Sequence, residues 1–130
     1  MATVQVTEKN FDSVVKQGIV VLDFWAAWCG PCRAFAPTFE AAAARNPSAV
    51  FGKVNTEQEP GLAAAFGIRA IPTLAVLRDG VILALQPGMV PAAALDELVK
   101  KVRALDMNEV KKSIAASRPS PAAAATTGGA

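Results

Sequence analysis

The chain reads as a single α/β domain: a mixed sheet with helices on both faces. Three observations carry that expectation. Apolar segments of strand and helix character alternate in the order βαβαβαββα. Ile19–Trp25 is apolar except at Asp23 and of strand length, as suits a strand covered on both faces. Asp79-Gly80 joins the last two strand segments as a hairpin turn. Crossover helices between the early strands imply parallel pairing, and the hairpin adds an antiparallel pair.

In order, 3–6 is a short strand, and Thr7 followed by Phe11, Val14 and Val15 predicts a capped amphipathic helix over 7–16. After Ile19–Trp25, an alanine-rich helix over 31–44 sets Phe35 and Phe39 one turn apart, with Pro37 expected to kink it by removing a backbone donor. A third strand covers 49–54 and a helix over 60–66 is closed by Gly67. Strands 73–77 and 81–86 flank the Asp-Gly turn, and a helix over 92–105 gathers Leu95, Leu98, Val99 and Val102 on one face. Asp106 and Glu109 then mark the start of a short packed appendix carrying Val110 and Ile114. The expected organisation is a domain over 1–105, a helical extension over 106–116 and a disordered tail over 117–130, where apolar periodicity ends.

The chain has 130 residues and is 52% hydrophobic, enough for one core without covalent staples. Its net charge is +2, and the excess is uneven: 1–99 carry seven basic and nine acidic residues, 100–130 six and two. A nucleic-acid surface on the domain is not expected. No apolar stretch has membrane-spanning length and the N-terminus lacks a signal-peptide pattern, so a cytoplasmic protein without membrane contact is expected. With no histidine, Cys/His or Ser/His nucleophile pairs and histidine metal ligands are excluded, and no metal or other cofactor is expected.

The chemistry concentrates in Cys29-Gly30-Pro31-Cys32, which holds both cysteines at a strand-to-helix turn. In that setting C-x-x-C reads as a redox dithiol. Cys29 at the helix N-terminus faces unpaired backbone N–H groups and the positive end of the dipole, which favour a thiolate. It is the expected nucleophile. Cys32 faces the same turn and can resolve a mixed disulfide, an intramolecular step with an effective molarity on the order of 10⁵ M. As a mere staple, so short a loop would contribute only about 2 kcal/mol. Neither Gly30 nor Pro31 supplies a positive charge to stabilise the thiolate further, which favours reduction over oxidation.

Asp23 sits inside the buried-strand run, where ionising a carboxylate is costly, so its pKa should rise and it can accept the Cys32 proton directly or through water. The competing reading is a strand-end aspartate reaching solvent. Lys53, on the neighbouring strand, can pair with Asp23 or snorkel at a strand edge. Trp25 is assigned to core support.

Asp23-Phe24-Trp25-Ala26, Trp28-Cys29-Gly30-Pro31-Cys32, Pro37, Lys53, Ile71-Pro72-Thr73, Asp79-Gly80 and Gly88 occur in order and at spacing that resembles the thioredoxin family, from about Val4 to Ala104. The resemblance implies a thioredoxin fold, a central five-stranded mixed sheet flanked by four helices. It implies a monomeric protein-disulfide reductase acting on diverse disulfide-containing proteins and recharged by a thioredoxin reductase. It also implies a cis bond at Ile71-Pro72, with the backbone before the proline free to pair with an extended substrate segment. Trp28, Gly30, Pro31, Ile71, Pro72 and Gly88 would form an apolar, sequence-tolerant rim. Pro87, Met89 and Thr56 depart from the family pattern and bear on substrate preference and reductase docking. Other readings are a binding or chaperone module on this fold, an isomerase-like oxidant, or a dimer holding a metal or iron–sulfur cluster between two Cys29/Cys32 pairs.

Overall fold

Ten elements alternate through the chain, as the computed structural model, which describes residues 2–117, shows. They are β1 (Thr3–Gln5), α1 (Phe11–Val15), β2 (Ile19–Trp25), α2 (Gly30–Arg45), β3 (Val50–Asn55), α3 (Pro60–Ala65), β4 (Thr73–Arg78), β5 (Val81–Pro87), α4 (Ala92–Ala104) and α5 (Met107–Ser117). The sheet has the order β1-β3-β2-β4-β5. β1, β3 and β2 run parallel, and β4 and β5 run antiparallel to their neighbours.

β2 lies at the centre, and strand alternation divides its side chains between two cores. Ile19 and Val21 join Phe35 and Phe39 of α2, Phe51 of β3 and Leu95, Val99 and Val102 of α4. Val20, Leu22 and Phe24 join Val14 and Val15 of α1 with Leu62 of α3 and Phe66 at its C-cap. Asp23 and Trp25 share the parity of Ile19 and Val21, so they belong to the α2 face, as does Lys53, two residues from Phe51. Backbone approach on the opposite face is close at Gly52, where a Cβ would stand 2.5 Å from Val6 Cγ2 and 3.0 Å from Leu22 Cδ2.

Several boundaries differ from expectation for local reasons. Helix α1 is regular only over Phe11–Val15, but it is capped at Thr7 as expected: Asn10 Oδ1 accepts from Thr7 N (2.8 Å), Thr7 Oγ1 accepts from Asn10 N (3.4 Å), and Phe11 N donates to the Thr7 carbonyl (2.9 Å). Helix α2 runs on through Pro37, which is exposed. In the hairpin, Asp79 and Gly80 both take positive φ (53° and 80°), the combination that matches the strand twist. A register shift between Val76 and Leu77 places the extra residue of β5 at Leu83, and Leu83 and Ala84 both pack on the α2–α4 core.

The appendix is helix α5, capped by Asp106, whose Oδ1 accepts from Asn108 N (2.9 Å) and Glu109 N (3.3 Å). Ser117, expected to open the tail, is its last residue; the rest of that expected tail, 118–130, lies outside the described residues. Arg78 fixes the α4–α5 junction through Nη1, which donates to the carbonyls of Val102 (2.9 Å), Arg103 (3.1 Å) and Leu105 (2.9 Å). No helix among the described residues is long and apolar enough to cross a membrane.

Candidate functional site at the end of the central strand

The site forms where β2 ends and α2 begins. Cys29 is the N-cap of α2, with extended backbone (φ −82°, ψ 112°) and Pro31 in the first turn. Pro31 has no N–H to leave unpaired there, so it favours the helix start without cost. Cys29 Sγ accepts a hydrogen bond from Cys32 N at 3.1 Å, the N-cap position usually served by a serine or aspartate oxygen. A sulfur held there carries negative charge more readily. The two cysteines are joined in a disulfide, so the structure is that of the oxidised form. Both are buried, packed with Ala26 and flanked by Trp25 and Ile71.

Behind the pair, Asp23 is fully buried, and neither carboxylate oxygen has a hydrogen-bond partner among the described residues. Burial pushes its pKa from 3.8 up to about 7, with Lys53 opposing the rise. The strand-end reading, in which this carboxylate reaches solvent, is therefore not what the fold builds. Lys53 is the register partner of Asp23 across β2 and β3, and its Nζ lies 4.8 Å from the centre of the Trp25 ring. Trp25 is thus half-buried, supporting the buried Ala26–Cys29–Cys32 cluster on which it packs and carrying this lysine on its ring.

In front of the pair, the Ile71–Pro72 peptide is cis. The Ile71 carbonyl oxygen lies 3.8 Å from Cys29 Sγ. Gly88, at φ +87°, donates its N–H to the Pro72 carbonyl at 2.8 Å, tying the end of β5 to this loop. A residue with a Cβ is strained at that φ. Thr73 Oγ1 closes the other side of the loop on Ala70 O at 2.6 Å. Of the expected rim, Trp28, Gly30, Pro31 and Gly88 are exposed, Ile71 is half-buried, and Pro72 is buried beneath them.

Two functional neighbours were not anticipated from sequence. Trp28 Nε1 donates to Glu57 Oε1, in the turn after β3. That turn is pinned by Thr56, whose N–H and hydroxyl both reach the Trp25 carbonyl (2.9 and 3.2 Å), so the polar Thr56 has a structural reason at this position. Glu40 of α2 accepts from Ala2 N (3.1 Å), Thr3 N (3.2 Å) and Thr3 Oγ1 (2.8 Å), fastening β1 to the helix that carries the cysteines. Although burial raises the Glu40 pKa, these hydrogen bonds hold it below the usual value on balance. Carboxylates with partners are common; a glutamate two residues past β3 carries no pattern that singles it out.

Comparison with known proteins agrees with this geometry. The family described as Thioredoxin matches residues 2–103. A Streptomyces coelicolor protein whose name includes thioredoxin 2 is 51% identical over 115 residues, covering 88% of this chain and 86% of that protein. The thioredoxin of Bacillus subtilis is 37% identical over 102 residues, covering 78% and 98%. Among solved structures, a mutant thioredoxin from Halobacterium salinarum superimposes with a TM-score of 0.75 at 30% identity, covering 80% of this chain and 93% of that one.

Proposed function

Because the chain belongs to the thioredoxin family and is a protein-disulfide reductase with a C-x-x-C redox pair, we propose that Cys29 is its attacking thiol, Cys32 its resolving thiol and Asp23 the proton acceptor between them. The observation that carries this assignment is the 3.1 Å hydrogen bond from Cys32 N to Cys29 Sγ at the N-cap of α2, which supports negative charge on Cys29 in particular.

In the reduced protein the Cys29 thiolate attacks one sulfur of a substrate disulfide. A Cys29–substrate bond forms, the substrate S–S bond breaks, and the other substrate sulfur leaves as a thiolate. Cys32 then gives its proton to Asp23, directly or through a water, and attacks Cys29 Sγ. The Cys29–Cys32 bond forms, the mixed disulfide breaks, and the second substrate thiolate is released to take up a proton. Two electrons pass to the substrate, leaving the disulfide seen here. An acceptor with a pKa of about 7 is suited to the task, since its acid and base forms are both accessible near neutral pH.

The family implies substrate proteins and a reductase as partners in general; for this chain we take the reductase to be a thioredoxin reductase. The rim of Trp28, Gly30, Pro31, Ile71 and Gly88 over Pro72 is the docking face, and the Ile71 backbone its pairing edge. Lys53 tunes Asp23 by lying opposite it in register. We place the activity in the cytoplasm and in the monomer, since one chain holds the whole redox pair.

The test is insulin-disulfide reduction driven by dithiothreitol or by NADPH and a thioredoxin reductase. Wild type is active, Cys29→Ser is inactive, and Cys32→Ser stalls after one attack. Equal activity in the three proteins would sink the assignment.

A further inference from the structure

Trp28 is the most exposed large hydrophobic residue in the described structure, at 67%, and it directly precedes Cys29. Its indole is not free to swing, because Nε1 is held by Glu57 Oε1. Glu57 is itself exposed and stands on a fixed turn: Asn55 Oδ1 accepts from Glu57 N at 3.0 Å and from Gln58 N at 3.3 Å. Only one carboxylate oxygen is used, and Glu57 Oε2 has no hydrogen bond to the described residues.

An N–H bond is made at the edge of the indole, so the ring's π faces remain open while a carboxylate oxygen sits at its rim. A π face draws a cation by its quadrupole, and a carboxylate draws it by charge and hydrogen bonding. The two together satisfy an ammonium or guanidinium group better than either alone. The same chain already joins a lysine to an indole on its other tryptophan, Lys53 over Trp25.

Among the described residues no cation is paired with Glu57. Arg33 is engaged with the Ala27 carbonyl at 2.9 Å, and Lys53 is occupied over Trp25. Arg69 is exposed, two residues before Ile71 in the loop that borders the other side of the dithiol. Glu59, the other acidic group on this turn, points to the turn before α1, where its Oε1 accepts from Glu8 N at 2.8 Å.

We propose that Trp28 and Glu57 together form a subsite for a cationic side chain, so that this reductase prefers disulfides flanked by lysine or arginine on the side of the docking face that meets Trp28. The proposal rests on the reductase reading and adds its substrate class. Glu57 acts in two ways: it positions the indole and it faces the bound cation.

The experiment compares two synthetic peptides with one disulfide each, identical except that lysine or glutamate flanks the cysteines. The full reduced protein reduces them in single turnovers, which keeps reductase docking out of the result. Wild type is expected to favour the lysine peptide by about fivefold in rate at low ionic strength. That preference should shrink in about 1 M salt, where the screening length is only ~3 Å. Glu57→Gln, which keeps an acceptor for the indole but loses the charge, should bring the ratio close to one. Glu57→Lys should reverse it, and Glu57→Asp should retain a preference for lysine. A wild-type ratio near one, or a preference that survives Glu57→Gln, would overturn the subsite. Failure of the wild type to reduce either peptide would instead overturn the reductase reading beneath it.

Discussion

Behind the Cys29–Cys32 pair, Asp23 lies at 0% exposure without a hydrogen-bond partner among the described residues; in front of it, Trp28 is 67% exposed and bonded to an exposed glutamate. Behind, a single charge is worth several kcal/mol, because water is excluded and nothing nearby solvates it. In front, contacts are wet, screened and individually small, which is what a surface that accepts many sequences requires. On the proposed assignment, the dry side moves one proton and the wet side docks the substrate. Substitutions behind the pair should therefore change stability and chemistry together, whereas those of exposed side chains in front should change substrate affinity with little effect on the fold.

The largest effect is expected at Asp23. Its folded pKa of about 7 lies above the 3.8 of the free carboxyl, so the folded state binds this proton more tightly than the unfolded state does. The resulting stability is fully present below the unfolded value and is lost as pH rises through the folded one. Above pH 7 the wild type bears the full cost of the buried charge, about 4 kcal/mol from a shift of roughly three units. Asp23→Asn escapes that cost. Denaturation midpoints of the two proteins should diverge as pH rises from about 4 to 7 and then stay apart. The same variant should resolve mixed disulfides more slowly near neutral pH; an unchanged rate would reject the proton-acceptor role. In the wild type, resolution should slow as pH falls through about 7 and Asp23 becomes protonated.

Lys53→Met should have the next largest effect. Removing the cation that holds the Asp23 pKa down should move the titration of the resolution step to higher pH, visible in a pH–rate profile. If the profile stays in place, the register pairing of Asp23 and Lys53 has no electrostatic consequence.

On the wet side, Gly88→Ala forces a Cβ into φ +87° and should cost about 1 kcal/mol of stability. It should also raise KM, because the Gly88 N–H holds the Pro72 carbonyl. The smallest change in stability is expected for Trp28→Ala, within about 0.5 kcal/mol in a thermal melt, as for other exposed positions. Its KM for disulfide substrates should nonetheless rise several-fold with kcat preserved. A large loss of stability in Trp28→Ala would contradict the division between the two sides.

The sequence disclosed the dry side better than the wet one, for a physical reason. Asp23 stands out because it interrupts an apolar strand, and strand parity alone directs it toward α2. The cysteines stand out because the N-cap, the proline and the thiol spacing are all local. β2 was legible to the residue, since a central strand is specified by its own apolar pattern. For helix α1 the cap at Thr7 was legible, and Thr7 and Asn10 do exchange capping bonds, but its regular part is confined to Phe11–Val15. The Trp28–Glu57 bond joins residues 29 positions apart, and the ties from Glu40 to Ala2 and Thr3 span 38 and 37. Contacts of that kind depend on how finished elements dock, and exposed glutamates carry no periodicity that announces them. The core-support role of Trp25 was legible from its strand position, but Lys53 over its ring was not, since only the neighbouring strand brings it there.

The central claim is the division of labour between the two thiols, and trapping the intermediate tests it most directly. Reduced Cys32→Ser and reduced Cys29→Ser would each be mixed with a disulfide peptide near neutral pH and followed by intact-protein mass spectrometry. A rapidly formed, persistent peptide adduct on Cys29 in Cys32→Ser, with little or none on Cys32 in Cys29→Ser, is the predicted result. Equal rates of adduct formation in the two variants, or faster capture by Cys32, would contradict it.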